Sequence, residues 1–94
     1  MITVGRKPEQ GEYVGRPSPL GNPFVMKKEA DRDSVCDEYE TWFYRQIQNR
    51  TPAVIAELER LHALAQTKPV KLICYCAPKR CHADTIAKFL NLHL

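Results

Sequence analysis

Val70-Lys71-Leu72-Ile73-Cys74-Tyr75-Cys76-Ala77-Pro78-Lys79-Arg80-Cys81-His82-Ala83-Asp84 holds a strand, a turn and the start of a helix in one short run. Val70 to Cys76 is a short, β-rich, nearly uncharged stretch, the pattern of a buried strand. After Ala77-Pro78 a helix is expected from near Arg80 to about Leu92, with Ile86, Phe89 and Leu90 on its buried face. A strand feeding straight into a helix is the repeating unit of open α/β sheets. Ligands in such sheets collect at the carboxyl ends of strands, where helix N-termini offer free N–H groups to anions.

Towards the N-terminus, Pro69 separates this unit from a helical region. Val35, Tyr39, Trp42, Phe43 and Ile47 recur at helical spacing, so a helix with an aromatic stripe is expected from Asp31 or Asp33, either of which suits an N-cap. Asn49 and Arg50 end it. Thr51-Pro52 opens a second helix, with Thr51 as cap and Val54, Ile55, Leu58, Leu61 and Leu64/Ala65 as its apolar face. Met1 to Arg6 alternates like a strand, and Glu12 to Gly15 is a second strand or the lead into a loop. Gly15 to Phe24 carries Pro17, Pro19 and Pro23, which fix φ and keep it out of any helix. The order predicts one α/β domain over residues 1–94, Rossmann-like in miniature, with a largely parallel sheet of two or three strands and three helices.

Composition bounds the function. A chain of 94 residues, 44% hydrophobic and 27% charged, is globular rather than disordered and has room for a single small core. No apolar run approaches the roughly 20 residues of a membrane span, and no signal peptide is evident, so a soluble cytoplasmic protein with no membrane partner is expected. The net charge of +3 is unevenly spread: residues 1–28 carry +3, 29–47 carry −4 and 68–94 carry +4. Basic ends around an acidic middle favour a small anion near the terminal segments. No block of Lys and Arg provides a strong nucleic-acid signal.

Three of the four cysteines (Cys74, Cys76 and Cys81) fall in the strand–turn–helix unit, with Cys36 apart. Cys81 at a helix start, beside Lys79, Arg80 and His82, is placed to favour thiolate, which makes it the candidate nucleophile with His82 as proton partner. Three other readings stand beside it. Cys74, Cys76, Cys81 and His82 have the ligand types of a zinc site, although adjacent residues on a helix point about 100° apart and the spacing is not a usual one. Cys74 to Arg80 has the C-x5-R spacing of a phosphatase loop, but no glycine brings N–H groups around a phosphate. Cys76 and Cys81 are close enough in sequence for a redox pair. The plain alternative is that these cysteines are small apolar residues packed in the core.

The Gly15–Phe24 loop is the second candidate. Arg16 can fork onto a phosphate, Ser18 offers a hydroxyl, Gly21 permits close backbone approach and Asn22 can cap a turn or touch a ligand. Its alternative is a stiff crossover plugging the sheet with Leu20 and Phe24. Arg32 either pairs with Asp31 or reaches this loop. The acidic run from Glu29 to Glu40 reads as a solvated helix face with caps, and His62 and His93 as surface residues.

Together, Tyr13 to Phe24 (YVGRPSPLGNPF), Asp31-Arg32, Val35, Tyr39, Trp42, Cys74-Tyr75-Cys76-Ala77-Pro78 and Cys81-His82-Ala83-Asp84 resemble a family of small phage and prophage proteins, domain of unknown function 4326. The resemblance spans roughly Thr3 to Leu90, with Ala83 where that family usually has glycine. The strand–Cys–loop–Cys-His–helix unit is also similar to domain of unknown function 488, whose fold is Rossmann-like. The resemblance implies a phage-associated origin and two motifs that converge on one site. The expected function is binding of a phosphate-containing ligand or nucleotide by Gly15, Arg16, Ser18, Gly21, Asn22, Arg32, Cys76, Arg80 and Asp84, with Cys81 and His82 as candidate catalytic groups. The alternatives are an accessory protein that binds a host protein and a zinc-stabilised module; no other cofactor is expected.

Overall fold

The computed structural model describes residues 1–93. Strands β1 (Ile2–Arg6), β2 (Glu12–Tyr13) and β3 (Val70–Cys74) form one sheet in the order β1-β3-β2, with both outer strands parallel to β3. Ile2 stands opposite Val70 and Arg6 opposite Cys74, while Glu12 and Tyr13 face Leu72 and Ile73. The last strand in sequence is therefore the middle one in space. Parallel neighbours demand a long crossover, and helices α1 (Arg32–Gln48) and α2 (Pro52–Ala65) supply it between β2 and β3. Helix α3 (His82–Leu92) follows β3.

Side chains alternate across β3. Val70, Leu72 and Cys74 join one core with Ile2, Tyr39, Phe43, Leu58, Leu61, Ile86 and Leu90. Ile73 points the other way, where residues 7–11 cross it; a Cβ on Gly11 would come within 2.8 Å of the Ile73 side chain, so only glycine fits there. The strap thus carries the chain from β1 to β2 over the second face. Among the described residues, no helix is long and apolar enough to cross a membrane.

Two boundaries of the strand–turn–helix unit differ from the sequence expectation. β3 stops at Cys74 rather than Cys76, because β1 ends opposite it and the Lys7 N–H takes the Cys74 carbonyl at 3.0 Å. α3 begins at His82 rather than Arg80. Cys81 is its N-cap, with the Ala83 N–H on its sulfur and its own N–H on Asp84 Oδ2, at 3.4 and 3.0 Å. That reciprocal pair is a capping box with a thiol in the hydroxyl's place. Asp31 and Thr51 occupy the cap positions of α1 and α2, but neither side chain caps: a 3-10 turn over Glu29–Asp31 leads into α1, and Thr51 Oγ1 donates to Gln46 Oε1 at 2.6 Å. Arg50, at φ 54°, takes the left-handed conformation that reverses the chain between α1 and α2.

The aromatic stripe of α1 is buried as its spacing requires, through Val35, Tyr39 and Phe43, with Trp42 and Ile47 at the edge. Cys36 is buried with them. Tyr39 is fully buried and donates its hydroxyl to the Leu20 carbonyl at 2.7 Å. Leu20 and Val14 are themselves fully buried, so the proline-rich loop is stapled to α1 and plugs the core. Replacing Tyr39 by Phe leaves that carbonyl buried without its donor. It should lower stability by about 1–3 kcal/mol in urea denaturation with an unchanged m-value.

Candidate functional site

A cleft of about 420 Å3 opens at the carboxyl end of the sheet, between the 15–24 loop, the start of α1 and the β3–α3 turn. All four cysteines line it, as do Arg16, Arg32 and Arg80. Gly15, Asn22 and His82 complete the set that the sequence proposed and the fold brings together. Ser18, Gly21 and Asp84 do not line it. Ser18 Oγ accepts the Leu20 N–H within the loop at 3.2 Å, and Asp84 serves the cap of α3. Gly21 packs against its own loop: a Cβ there would sit 2.9 Å from the Arg16 backbone nitrogen.

Charge builds this cleft from two blocks that are distant in sequence. Arg80 donates to Asp37 Oδ1 at 2.8 Å and to Asp33 Oδ1 at 3.1 Å, so the acidic start of α1 grips the basic turn. Arg32, whose side chain is only 15% exposed, forks onto Glu29 at 2.8 and 3.0 Å. Its remaining arm donates to the Arg80 carbonyl at 2.8 Å, and its guanidinium faces the Cys76 thiol. That guanidinium holds Glu29 down to about 2. The acidic run is therefore more than a solvated face, and Arg32 bonds Glu29 and the cysteine turn, neither Asp31 nor the 15–24 loop.

The sulfurs are unequal. Cys74 and Cys81 stand with Sγ atoms 2.9 Å apart, both buried. The hydrogen bond with Cys81 and the backbone N–H groups of Cys76 and Ala77 outweigh burial and bring the Cys74 pKa down to about 6. Cys81 is pushed the other way, by its bond to Cys74 and by burial, although the Ala83 N–H opposes this. Burial raises the Cys36 thiol.

His82 turns away from the sulfurs. Its Nε2 donates to the Val14 carbonyl at 2.8 Å, its ring meets Tyr39 edge-on, and burial holds its pKa below the usual histidine value. The neutral ring therefore carries its hydrogen on Nε2 and leaves Nδ1 as an acceptor. Among the described residues, no three His, Cys, Asp or Glu side chains are placed to hold one metal ion. Cys74, Cys76, Cys81 and His82 do not assemble into the zinc set their ligand types had suggested, since the ring is engaged by Val14 and two of the sulfurs face each other. Arg80 is likewise held by α1, not folded over Cys74 as a phosphatase loop would need.

Sequence reasoning did not anticipate the cleft's apolar walls or its fourth thiol. Tyr13 and Tyr75 meet edge to face at 5.9 Å, with the Lys7 ammonium 4.5 Å from the Tyr13 ring centre. Tyr75 is 63% exposed at the rim. Cys36 follows Arg32 by four residues on α1, so both lie on one helix face, and that spacing was the available signal.

A small parallel α/β layer with a cationic, thiol-lined cleft at its carboxyl edge is the class of protein that fold and site define. The chain belongs to the family described as Domain of unknown function (DUF4326), whose model matches residues 3–92. No curated protein and no solved structure matches it.

Two outcomes test this geometry. Ultraviolet titration of the reduced protein should show one thiolate forming near pH 6. Cys81→Ala, which removes the S–H donor, should move that midpoint upward; a first thiolate only in the ordinary range, at about 8.5, would contradict the arrangement. The sign for stability follows: a depressed thiol pKa stabilises the fold above the unfolded thiol's range, and that contribution is lost as pH falls through the folded value. Asp84→Ala should lower stability by about 1 kcal/mol in urea, the typical effect of losing a helix cap.

Proposed function

We propose that the protein binds a small phosphate-bearing ligand, of the nucleotide class, in the cleft between the 15–24 loop and the β3–α3 turn. One observation carries the reading. Three arginines line the cleft and no carboxylate does, and of the three only Arg16 has no acidic partner among the described residues. Arg32 and Arg80 are neutralised by Glu29, Asp33 and Asp37 and serve as walls. Arg16 is exposed at the mouth, free to fork onto phosphate oxygens. The Tyr13 and Tyr75 rings offer a face for a base beside it.

This is a reading of binding. The bond of His82 to Val14 and the raised Cys81 pKa support binding over a Cys81–His82 catalytic pair. A phage-associated protein working in the cytoplasm on such a ligand is the setting that the family resemblance suggests.

Calorimetric titration with inorganic phosphate, pyrophosphate and nucleoside mono- and diphosphates tests the proposal. Arg16→Ala should weaken the best of these by roughly thirtyfold, about 2 kcal/mol for a charge-assisted hydrogen bond. The melting temperature without ligand should stay unchanged, because Arg16 makes no ion pair in the fold. Equal affinity in the variant, or no binding of any phosphate, would refute the assignment.

A further inference from the structure

We propose that Cys74 and Cys81 form a redox-active dithiol, which closes to an intramolecular disulfide when a hydroperoxide enters the cleft. Their sulfurs lie 2.9 Å apart, within an ångström of the bond length of a disulfide, about 2.05 Å. One ends a central strand and the other caps a helix, so both are carried by firm elements. The turn between them is already closed: the Lys79 N–H bonds the Cys76 carbonyl at 2.9 Å, and Arg32 holds the Arg80 carbonyl. Bond formation therefore asks for a small side-chain movement and little backbone rearrangement. Both cysteines line the cleft, which gives a small oxidant a path to residues that are otherwise buried.

The remaining thiols define what this pair is not. Cys76 is the more exposed neighbour, yet its sulfur faces the Arg32 guanidinium, and among the described residues neither it nor Cys36 bonds another sulfur. The Cys76–Cys81 pairing suggested by sequence proximity is replaced by Cys74–Cys81, because Cys74 and Cys76 diverge once the strand ends.

The chemistry balances in two steps. The Cys74 thiolate attacks the terminal oxygen of R–O–O–H; an S–O bond forms, the O–O bond breaks, and the alkoxide leaves as R–OH after taking a proton from water. The product is a sulfenic acid on Cys74. The Cys81 sulfur then attacks Cys74 Sγ; the S–S bond forms, the S–O bond breaks, and hydroxide departs as water with the Cys81 proton. Two thiols are oxidised by two electrons, and one hydroperoxide is reduced to an alcohol and water. A thiol reductant reverses the bond by exchange.

The test uses the full reduced chain and hydrogen peroxide at one equivalent, read by intact mass and by peptide mapping. Wild type should lose two hydrogens and two of its four free thiols, with residues 72–79 linked to 81–88, and dithiothreitol should restore both. Cys76→Ser and Cys36→Ser should close in the same way, which assigns the bond to Cys74 although Cys76 shares its peptide. Cys81→Ser keeps a side-chain oxygen at the helix cap and so should fold, as circular dichroism can verify. It should form no disulfide and instead carry one sulfenic acid on Cys74, trapped by dimedone. A bond to Cys36 or Cys76, oxidation to sulfinic acid without closure, or four free thiols after treatment would each overturn the proposal. None of these outcomes depends on whether a phosphate ligand binds.

Discussion

β3 has a strand on each side, and a strand so flanked has its backbone groups committed to its neighbours for as long as they run beside it. Where β1 gives out, at Cys74, that commitment ends within a residue or two. The N–H groups of Cys76 and Ala77 then have no strand partner, and their dipoles lower the pKa of the nearby Cys74 thiol. The position of the reactive thiol, the tightness of the following turn and the late start of α3 all follow from where the flanking strand stops.

Around that point the charges are arranged by tertiary contact. Exposed ion pairs contribute little stability one by one, and Arg80 with Asp33 and Asp37 is mostly of that kind. Arg32 differs, because its side chain is largely covered and all of its bonds fall on two partners, Glu29 and the Arg80 carbonyl. It ties the first turn of α1 to the β3–α3 turn and closes one wall of the cleft. Tyr39 does the same for the opposite wall through Leu20. Arg16 is left over from this scheme, and a cation that the fold does not need is the group most available to a ligand.

Floor and mouth of the cleft thus have separate physics. At the floor, the neighbouring Cys81 thiol and backbone N–H groups of the turn draw the Cys74 pKa below its ordinary value. At the mouth, Arg16 and the Tyr13–Tyr75 pair meet solvent. A ligand seated at the mouth and an oxidant reaching the floor would use the same opening without sharing contacts.

Local order was legible in the residues themselves. Aromatic spacing from Val35 to Ile47, the Thr51-Pro52 start, the stiff proline loop and the strand–turn–helix unit from Val70 onward each express an interaction spanning a turn or two of chain, and all are present in the fold. The α/β class with a parallel sheet followed from their order. Partnership across the chain was not legible. Cys36 joining the other thiols, Arg80 bonding Asp37 forty-three residues away, His82 choosing Val14 and Cys74 pairing with Cys81 rather than Cys76 each needed β3 to be central and α1 to lie over its end. Backbone propensity and side-chain period act over a few residues. Which charges, sulfurs and carbonyls meet is settled only when burial of the whole core brings distant segments together.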